Sequence, residues 1–157
     1  MTELYSIKNE DVYKKLRNIL KTRTDVFYEI KRTENGKPFI EGNPLFFSIA
    51  HSGKCALIAV SDNPVGVDFE IFREKEHMAI LIRFTEREKS EIKNENDFLR
   101  HWTAREAFVK MRGAELWENL KSLEFFGGEI YFDGIRQNCE LKTYIFPSGI
   151  AALCIQK

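Results

Sequence analysis

The sequence has few cysteines and no long apolar run. Its three cysteines, Cys55, Cys139 and Cys154, form no CxxC pair, and each lies in an apolar, strand-like stretch. This placement favours buried, reduced thiols. The sequence shows no apolar N-terminal segment of the kind that directs secretion, and no apolar run approaches the roughly 18 residues of a membrane span. We therefore expect a cytoplasmic protein without a membrane segment.

Neither positive nor negative charge is in excess. Lys and Arg together number 24, as do Asp and Glu, and the two signs are interspersed along the chain. That balance argues against bulk nucleic-acid binding and against an anionic membrane partner. The 157 residues include 13 phenylalanines and have an ordinary hydrophobic content. These values predict a single globular domain over residues 1–157.

The common signatures of nucleotide binding and acyl transfer are absent as well. The sequence contains no GxGxxG, no GxxxxGK[ST] and no GxSxG. It therefore lacks the Rossmann fingerprint, the P-loop and the nucleophile elbow. Any catalytic chemistry has to come from other groups of residues.

The order of helical and strand patterns predicts an α+β fold. Helical spacing predicts helices over residues 9–21 and 78–84, a short helix with a Thr85–Glu88 capping box, and a long helix after Glu95 or Asn96 that runs to Met111 and stops at Gly113. Alternation predicts strands over residues 27–31, 46–49, 55–60, 65–71, 122–126, 128–132, 140–146 and 150–155, with His51–Lys54 as a connection. The order is strands, then helices, then strands, without a regular βαβ alternation. We therefore expect an antiparallel sheet packed with helices.

Two carboxylates share one face of the strand predicted over residues 65–71. Side chains alternate along a strand, so Asp68 and Glu70 point to one side while Val67 and Phe69 point to the other. Two like charges on one face repel unless a cation or water offsets them. An isolated D-x-E pattern is more often the solvated face of a half-buried strand. The strand alone therefore does not show whether these carboxylates form a functional site or an ordinary solvent-exposed surface.

The long helix carries a carboxylate within its apolar sector. With about 100° per residue, Glu106 falls among Phe98, Leu99 and Val109 on a helical wheel. Burial of an ionised carboxylate is costly without a cation or strong donors, which favours a functional role. The alternative is a Glu106–Lys110 surface pair at i, i+4, worth only a few tenths of a kcal/mol. Both interpretations remain open on position alone.

Together the two segments suggest a metal-assisted reaction on a phosphate compound. Three carboxylates suit a hard cation such as Mg²⁺, which takes part of its shell from phosphate oxygens. Arg105 and Lys110 flank Glu106 and are suited to neutralise such phosphates. Ser52 and Gly53 beside His51 offer further donors to an anion, although a lone histidine in a turn more often has a structural role.

Five motifs occur in a set order along the chain. They are NGKP at 35–38, FSIAHSG at 47–53, VGVDFE at 65–70, RFTERE at 83–88 and WTAREAFVK at 102–110. The third and fifth resemble the paired signature of the 4′-phosphopantetheinyl transferases, roughly [VI]-G-[VI]-D-x-E and W-[ST]-x-K-E-[AS]-x-x-K. The fourth is similar to the family's F-[ST]-x-x-E. The first two are similar to the G-K-P and N-[IV]-S-H-[ST] elements of its surfactin-synthetase-activating, two-half branch.

The resemblance implies a 4′-phosphopantetheinyl transferase-like fold with two related halves. The halves would cover about residues 1–64, in shortened form, and about 65–157, which carries the metal site. Asp68, Glu70 and Glu106 would bind Mg²⁺ together with the pyrophosphate of coenzyme A. Glu106 and Lys110 would be catalytic, with Lys110 on the phosphate that is cleaved. The remaining implied coenzyme contacts are Lys37 and Pro38 near the adenine, His51 and Ser52 on phosphates, and Arg105 where the family has lysine.

The implied reaction transfers the phosphopantetheine arm of coenzyme A to a carrier protein. A serine hydroxyl of an acyl or peptidyl carrier protein would attack the β-phosphate and release 3′,5′-ADP. Glu106 or a metal-bound water would accept the serine proton. Two alternatives remain. One is a relative that binds coenzyme A or a carrier protein without turnover, and the other is a Mg²⁺-dependent phosphohydrolase.

The resemblance also implies a shortened N-terminal half. Two-half members carry a further segment before the position of Asp11, with a first strand and basic groups for the coenzyme's 3′-phosphate. The basic residues available here as substitutes are Lys14, Lys15, Arg17, Lys21 and Arg23. Small members of the superfamily build their site between subunits, so we expect a monomer or a small homo-oligomer.

Overall fold

The structure is a computed structural model that describes residues 1–8, 11–33, 36–42, 45–72, 78–113 and 121–157. Its helices are α1 Val12–Thr24, α2 Met78–Leu81, α3 Glu86–Glu91 and α4 Glu95–Arg112. Its strands are β1 Thr2–Lys8, β2 Ile30–Arg32, β3 Pro38–Ile40, β4 Phe46–Ser52, β5 Cys55–Ser61, β6 Val65–Ile71, β7 Leu123–Phe126, β8 Glu129–Phe132, β9 Ile135–Arg136, β10 Cys139–Phe146 and β11 Gly149–Gln156.

The described strands form four small sheets, and every strand pairing between them is antiparallel. The first sheet has the order β1-β5-β4 and the second has the order β10-β11-β6. A hairpin of β2 and β3 and a sheet with the order β7-β8-β9 complete them. The predicted α+β class with antiparallel sheets and packed helices is confirmed. The division into halves at residue 64 stays a prediction.

Helices α1 and α4 each cover one of the two larger sheets. Leu16, Ile19 and Leu20 of α1 pack with Ile58 and Val60 of the first sheet. On the second sheet, alternate residues of β11 point to opposite faces. Ala152 and Cys154 pack with Ala107 and Phe108 of α4, whereas Ala151 and Leu153 pack with Val67 of β6 in a separate cluster. Because side chains alternate, the even-numbered residues of β6, Asp68 and Glu70 among them, lie on the side that α4 covers.

Two serine side chains of β4 join the first sheet to β6. The Ser48 Oγ accepts a hydrogen bond of 3.0 Å from the Val67 N–H, and the Ser52 Oγ accepts one of 3.1 Å from the Ile71 N–H. Both serines are buried. Buried backbone amides need partners, and these two hydroxyls satisfy amides on the edge of β6 that does not pair with β11.

Helix α4 lies unusually close to β6 at Gly66. A Cβ atom at this position would be 1.9 Å from the Ala107 carbonyl oxygen and 2.4 Å from the Met111 nitrogen. Only a residue without a side chain allows this contact. The contact places the half of α4 that contains Glu106 and Lys110 against the strand that contains Asp68.

The structure differs from the sequence prediction mainly in the extents of elements. The predicted connection His51–Lys54 shrinks to the pair Gly53-Lys54, because His51 and Ser52 continue β4 in register with Ala56 and Cys55. Residues 2–8, for which no element was predicted, form β1 along the full length of β5. The strand predicted over 27–31 is β2, shifted to begin at Ile30, and β3 and β9 were not predicted.

The predicted helices agree more closely with the structure. The Thr85–Glu88 capping box is present at the start of α3, and Gly113 ends α4 with a φ of 72°. The helix predicted over 78–84 ends earlier, at Leu81, and residues 9, 10 and 35 of other predictions lie outside the described residues. None of the described helices combines the length and the apolar composition that crossing a bilayer requires.

The contact at Gly66 makes a direct prediction. Gly66→Ala should lower the free energy of unfolding by at least about 2 kcal/mol, because the new methyl group meets helix backbone that cannot move aside. Chemical denaturation measures the change. Gly127→Ala is the control, since its Cβ would meet open space and only its φ of 59° is unfavourable, at about 1 kcal/mol. Equal losses in the two variants would contradict the close contact.

Candidate active site

The Asp68 carboxylate lies buried between β6 and α4, and one of its oxygens is unpaired within the part of the chain that the structure describes. The residue is 6% exposed. Its Oδ1 accepts a hydrogen bond of 2.7 Å from the Lys110 Nζ, whereas its Oδ2 has no hydrogen-bond partner among the described residues. Burial raises the pKa of Asp68, and the charge of Lys110 opposes that rise. A buried carboxylate oxygen without a partner indicates a position where a donor or a cation is favoured.

Trp102, Glu106 and Lys110 form the half-buried row of α4, at i, i+4 spacing. Most of the other residues from Phe98 to Met111 are buried, so this row is the partly accessible side of that part of the helix, and its Lys110 lines the cleft described below. The structure places the Lys110 ammonium on Asp68, which differs from the surface pair with Glu106 considered from the sequence. Burial first, and then the charge of Asp68, raise the pKa of Glu106 from 4.5 to about 7. A carboxyl group with this pKa exchanges protons near neutral pH.

Glu70 is held from the neighbouring sheet. The Ser52 hydroxyl donates a hydrogen bond of 2.8 Å to the Glu70 Oε2 and accepts from the Ile71 N–H of the same strand. Glu70 is half-buried, and its charge contributes to the raised pKa values of both Asp68 and Glu106. The three predicted carboxylates therefore interact electrostatically across the β6–α4 contact.

These carboxylates do not form a closed metal cage. Among the described residues, no group of three His, Cys, Asp or Glu side chains is placed to hold a metal ion. The ammonium of Lys110 is the cation that contacts Asp68. The predicted ligand set of Asp68, Glu70 and Glu106 therefore stays a prediction.

A cleft of about 350 Å³ opens beside Lys110 and collects most of the other predicted residues. Lys37, Pro38, His51 and Lys110 all line it. Its remaining walls include the aromatic and aliphatic side chains of Tyr13, Phe47 and Ile49. An apolar floor with cationic groups at one end suits a ligand that combines a flat ring with anionic groups.

Lys37 ties the β2–β3 hairpin to the end of α4. Its Nζ donates to the Lys110 carbonyl oxygen in the last turn of that helix, where a positive charge is favoured. Burial lowers the pKa of Lys37. The lysine therefore forms part of the cleft wall and also joins residues that lie far apart in the sequence.

Arg105 and Ser52 are not among the residues that line the cleft. Arg105 is fully buried, and its Nη1 donates to both oxygens of Glu88, at 3.1 and 3.3 Å, and to the Arg83 carbonyl oxygen at 3.3 Å. Its guanidinium also lies 4.6 Å from the centre of the Phe84 ring. The coenzyme contacts predicted for Arg105 and Ser52 stay predictions.

Several residues of the site were missed from the sequence. Tyr13 lies beside Leu20 on a helical wheel, at the edge of the stripe predicted to be buried, and that position was the available signal. Glu88 was recognised as half of a capping box and as the glutamate of the F-[ST]-x-x-E motif, whereas its contacts with Arg105 and with the Phe125 N–H were not predicted. Of the basic residues considered as substitutes, Arg23 is engaged by Asp62 and is not a wall of the cleft.

Comparison with known proteins places the chain in a family. The model of the 4′-phosphopantetheinyl transferase superfamily matches residues 64–143, about half of the chain. The chain belongs to that superfamily, as the paired motifs indicated. The resemblance drawn from the sequence and the fold it implied are therefore confirmed at the level of the superfamily, whereas the shortening of the first half stays a prediction.

Individual relatives agree with this assignment. The chain is 37% identical over 95 residues to the 4′-phosphopantetheinyl transferase AcpT of Salmonella typhi, across 54% of this chain and 50% of the relative. It is 34% identical over 122 residues to the L-aminoadipate-semialdehyde dehydrogenase-phosphopantetheinyl transferase of Xenopus laevis, across 61% and 39%. It is 30% identical over 145 residues to the 4′-phosphopantetheinyl transferase psf-1 of Bacillus pumilus, across 78% and 58%. The chain spans about half the length of the relatives it matches.

The raised pKa of Glu106 predicts a stability that depends on pH. Between pH 4.5 and about 7 the folded protein keeps a proton that the unfolded chain has released, so the stability falls as the pH rises through this range. Glu106→Gln should remove this loss. In buffer with a chelator, we expect its melting temperature to equal that of the wild type near pH 4.5 and to exceed it above pH 7.

Thermal unfolding across this pH range tests the assignment. Glu86→Gln is the control, because the Glu86 side chain is 89% exposed. A gap between wild type and Glu106→Gln that stays constant from pH 4.5 to 8 would show that the pKa of Glu106 is not raised.

The buried pair of Glu88 and Arg105 makes a second prediction. Arg105→Met leaves a buried carboxylate without its cation and should cost about 3–5 kcal/mol of unfolding free energy. Arg105→Lys keeps the charge but loses the forked donors and the contact with Phe84, at about 1–3 kcal/mol. Denaturant unfolding measures both. Arg100→Met, at an exposed position of α4, should change stability by less than about 0.5 kcal/mol, and an equally small effect of Arg105→Met would refute the buried pair.

Proposed function

We propose that this chain transfers the 4′-phosphopantetheine arm of coenzyme A to a serine of an acyl or peptidyl carrier protein and releases 3′,5′-ADP. The observation that carries the proposal is the position of Glu106. This half-buried carboxyl group lies close enough to the buried Asp68 for their charges to interact, one helical turn from Lys110, which lines the cleft. The membership of the superfamily and the names of the relatives support the same reaction.

The cleft suits the nucleotide part of coenzyme A. Tyr13 and Phe47 offer aromatic surface to the adenine, next to Lys37 and Pro38. His51 and Lys110 lie on the same walls and supply donors to phosphate oxygens. A volume of about 350 Å³ lies within the usual range for small-molecule sites. The pantetheine arm would extend out of this volume, towards the carrier protein.

Mg²⁺ is part of the proposal, held by Asp68, Glu70 and Glu106 together with coenzyme phosphates. The unpaired, buried Oδ2 of Asp68 fits a cation, and carboxylate oxygens are the ligands that Mg²⁺ prefers. Mg²⁺ commonly binds through one or two carboxylates plus substrate phosphates, so a complete protein cage is not required. When bound, the ion would neutralise the charge of the pyrophosphate.

The residues of the chain would then contribute positioning and proton transfer. A carrier serine has to lose its proton as it attacks the β-phosphate. Glu106 on α4 interacts electrostatically with Asp68 and Lys110, and we assign it as the general base. The Lys110 ammonium, 2.7 Å from Asp68, lies where it can stabilise negative charge on the phosphate that is cleaved. Phosphoryl transfer depends mainly on such positioning and electrostatics.

The proposal includes a cytoplasmic location, where the chain would meet coenzyme A and its carrier protein. A monomer or a small homo-oligomer without nucleic-acid or membrane partners completes it. The two alternative functions are outcomes of the same experiment. Binding of coenzyme A without transfer would indicate a non-catalytic relative, and release of 3′,5′-ADP without a carrier protein would indicate a phosphohydrolase.

Incubation of the protein with Mg²⁺, coenzyme A and an apo carrier protein tests the proposal. We expect the carrier mass to increase by one phosphopantetheine group, with 3′,5′-ADP in equal amount. Glu106→Gln removes the proton acceptor and should lower the transfer rate by about 10²–10⁴-fold. Asp68→Asn should lower the rate at limiting Mg²⁺ by a similar factor. Intact-mass spectrometry of the carrier and chromatography of the nucleotide measure both products.

Two controls make this experiment decisive. Glu86→Gln changes an exposed carboxylate of α3 and should transfer at the wild-type rate. Unfolding midpoints of the variants, measured in parallel, separate lost chemistry from lost folding. Full activity of Asp68→Asn at limiting Mg²⁺ would remove Asp68 from the cation site, and no mass shift with any of several apo carriers would remove the transferase assignment.

A further inference from the structure

Ser52 occupies a special position between the two larger sheets. It ends β4, is 4% exposed, and precedes the two-residue connection to β5. Its hydroxyl contacts β6 twice, as acceptor from the Ile71 N–H at 3.1 Å and as donor to the Glu70 Oε2 at 2.8 Å. Both contacts cross from one sheet to the other.

The chemistry of a hydroxyl restricts what Ser52 is able to do. A serine hydroxyl has one proton to donate. In the structure that proton goes to Glu70, and a hydrogen bond to an ionised carboxylate is about twice as strong as one between neutral groups. Ser52 is also absent from the walls of the cleft that contains His51. A simultaneous hydrogen bond from its side chain to a ligand phosphate is therefore excluded.

We infer that Ser52 is a positioning residue that fixes the Glu70 carboxylate towards the cation site. This inference rests on the proposed function, because Glu70 is assigned there as a Mg²⁺ ligand. The acceptor contact with Ile71 fixes the hydroxyl on β6, and the donor contact then fixes one carboxylate oxygen. The other oxygen of Glu70 is left for the cation. Glu70 is half-buried, so without this contact its side chain would be free to sample several rotamers.

The chain contains a matched control in Ser48. Ser48 lies four residues earlier on the same strand, is also buried, and its Oγ accepts from the Val67 N–H at 3.0 Å. Removal of either hydroxyl leaves one β6 amide without its serine partner. The two positions differ in the donor contact to Glu70, which Ser52 makes. A comparison of Ser52→Ala with Ser48→Ala therefore separates the carboxylate contact from the loss of a sheet connection.

The affinity for Mn²⁺ alone tests the inference without any turnover. Electron paramagnetic resonance of free Mn²⁺ titrated with the full chain gives the dissociation constant. Loss of a side chain that orients a metal ligand usually weakens metal binding by about 10–100-fold. We expect at least about a 10-fold increase of the constant for Ser52→Ala and less than about a 2-fold change for Ser48→Ala. Ser52→Thr keeps the hydroxyl and should restore most of the affinity.

A second comparison shows whether Ser52 acts through Glu70. In a Glu70→Ala background, Ser52→Ala should change the Mn²⁺ affinity by less than about 2-fold, because the group that Ser52 orients is gone. If Ser52 instead contacted coenzyme A directly, its removal would weaken coenzyme binding even without a cation. With chelator present, Ser52→Ala should leave the affinity for coenzyme A unchanged, whereas His51→Ala, at the cleft wall, should weaken it.

The outcomes that overturn the inference are distinct from failure of the proposed function. If wild type binds Mn²⁺ and modifies the carrier, but Ser52→Ala and Ser48→Ala weaken Mn²⁺ binding equally, the inference alone is wrong. The same holds if Ser52→Ala lowers the affinity for coenzyme A under chelation. If wild type neither binds Mn²⁺ nor transfers phosphopantetheine, the proposed function fails and the positioning role fails with it.

Discussion

The contact between α4 and β6 at Gly66 determines where the functional groups lie. Helix backbone and strand backbone are so close there that a single methyl group would overlap both Ala107 and Met111. Close packing of two rigid elements fixes their relative translation and rotation. Asp68 is two residues along the strand from this contact, and Lys110 lies one residue from it on the helix. The 2.7 Å hydrogen bond between them is a consequence of that alignment.

The site holds more negative than positive charge, and this imbalance lowers the free energy of unfolding of the protein. Burial raises the pKa values of Asp68 and Glu106, so the unfolded chain holds both carboxylates in their ionised forms more readily. Lys110 offsets part of this charge. Unfavourable electrostatics of this kind are typical of sites that bind charged ligands. A cation that binds there neutralises the carboxylates, and the relief of their repulsion adds to the binding free energy. The buried pair of Glu88 and Arg105, in contrast, neutralises itself within the fold.

Sequence reasoning identified the strand with Asp68 and Glu70 and the helix with Glu106, because period and capping are local properties. The bounds of β6 and the capping box of α3 agree with the structure for that reason. The partner of Arg105 was not predictable in the same way. Arg105 stands where the family carries lysine, and the direction of its side chain depends on α3 packing beside α4. The motif alone therefore suggested a phosphate contact where the fold makes a buried ion pair.

The link between Lys37 and the Lys110 carbonyl joins positions 73 residues apart, and the cleft has Tyr13 and Phe47 on its other walls. Contacts of such long sequence separation carry a cost in loop-closure entropy, and a fold rich in them folds more slowly. Of the described residues that line this cleft, Lys110 and Gly113 alone belong to the segment that matches the superfamily, residues 64–143. Ligand binding at the cleft would therefore report that α1, the β2–β3 hairpin, β4 and the end of α4 have come together, including parts that precede the matched segment.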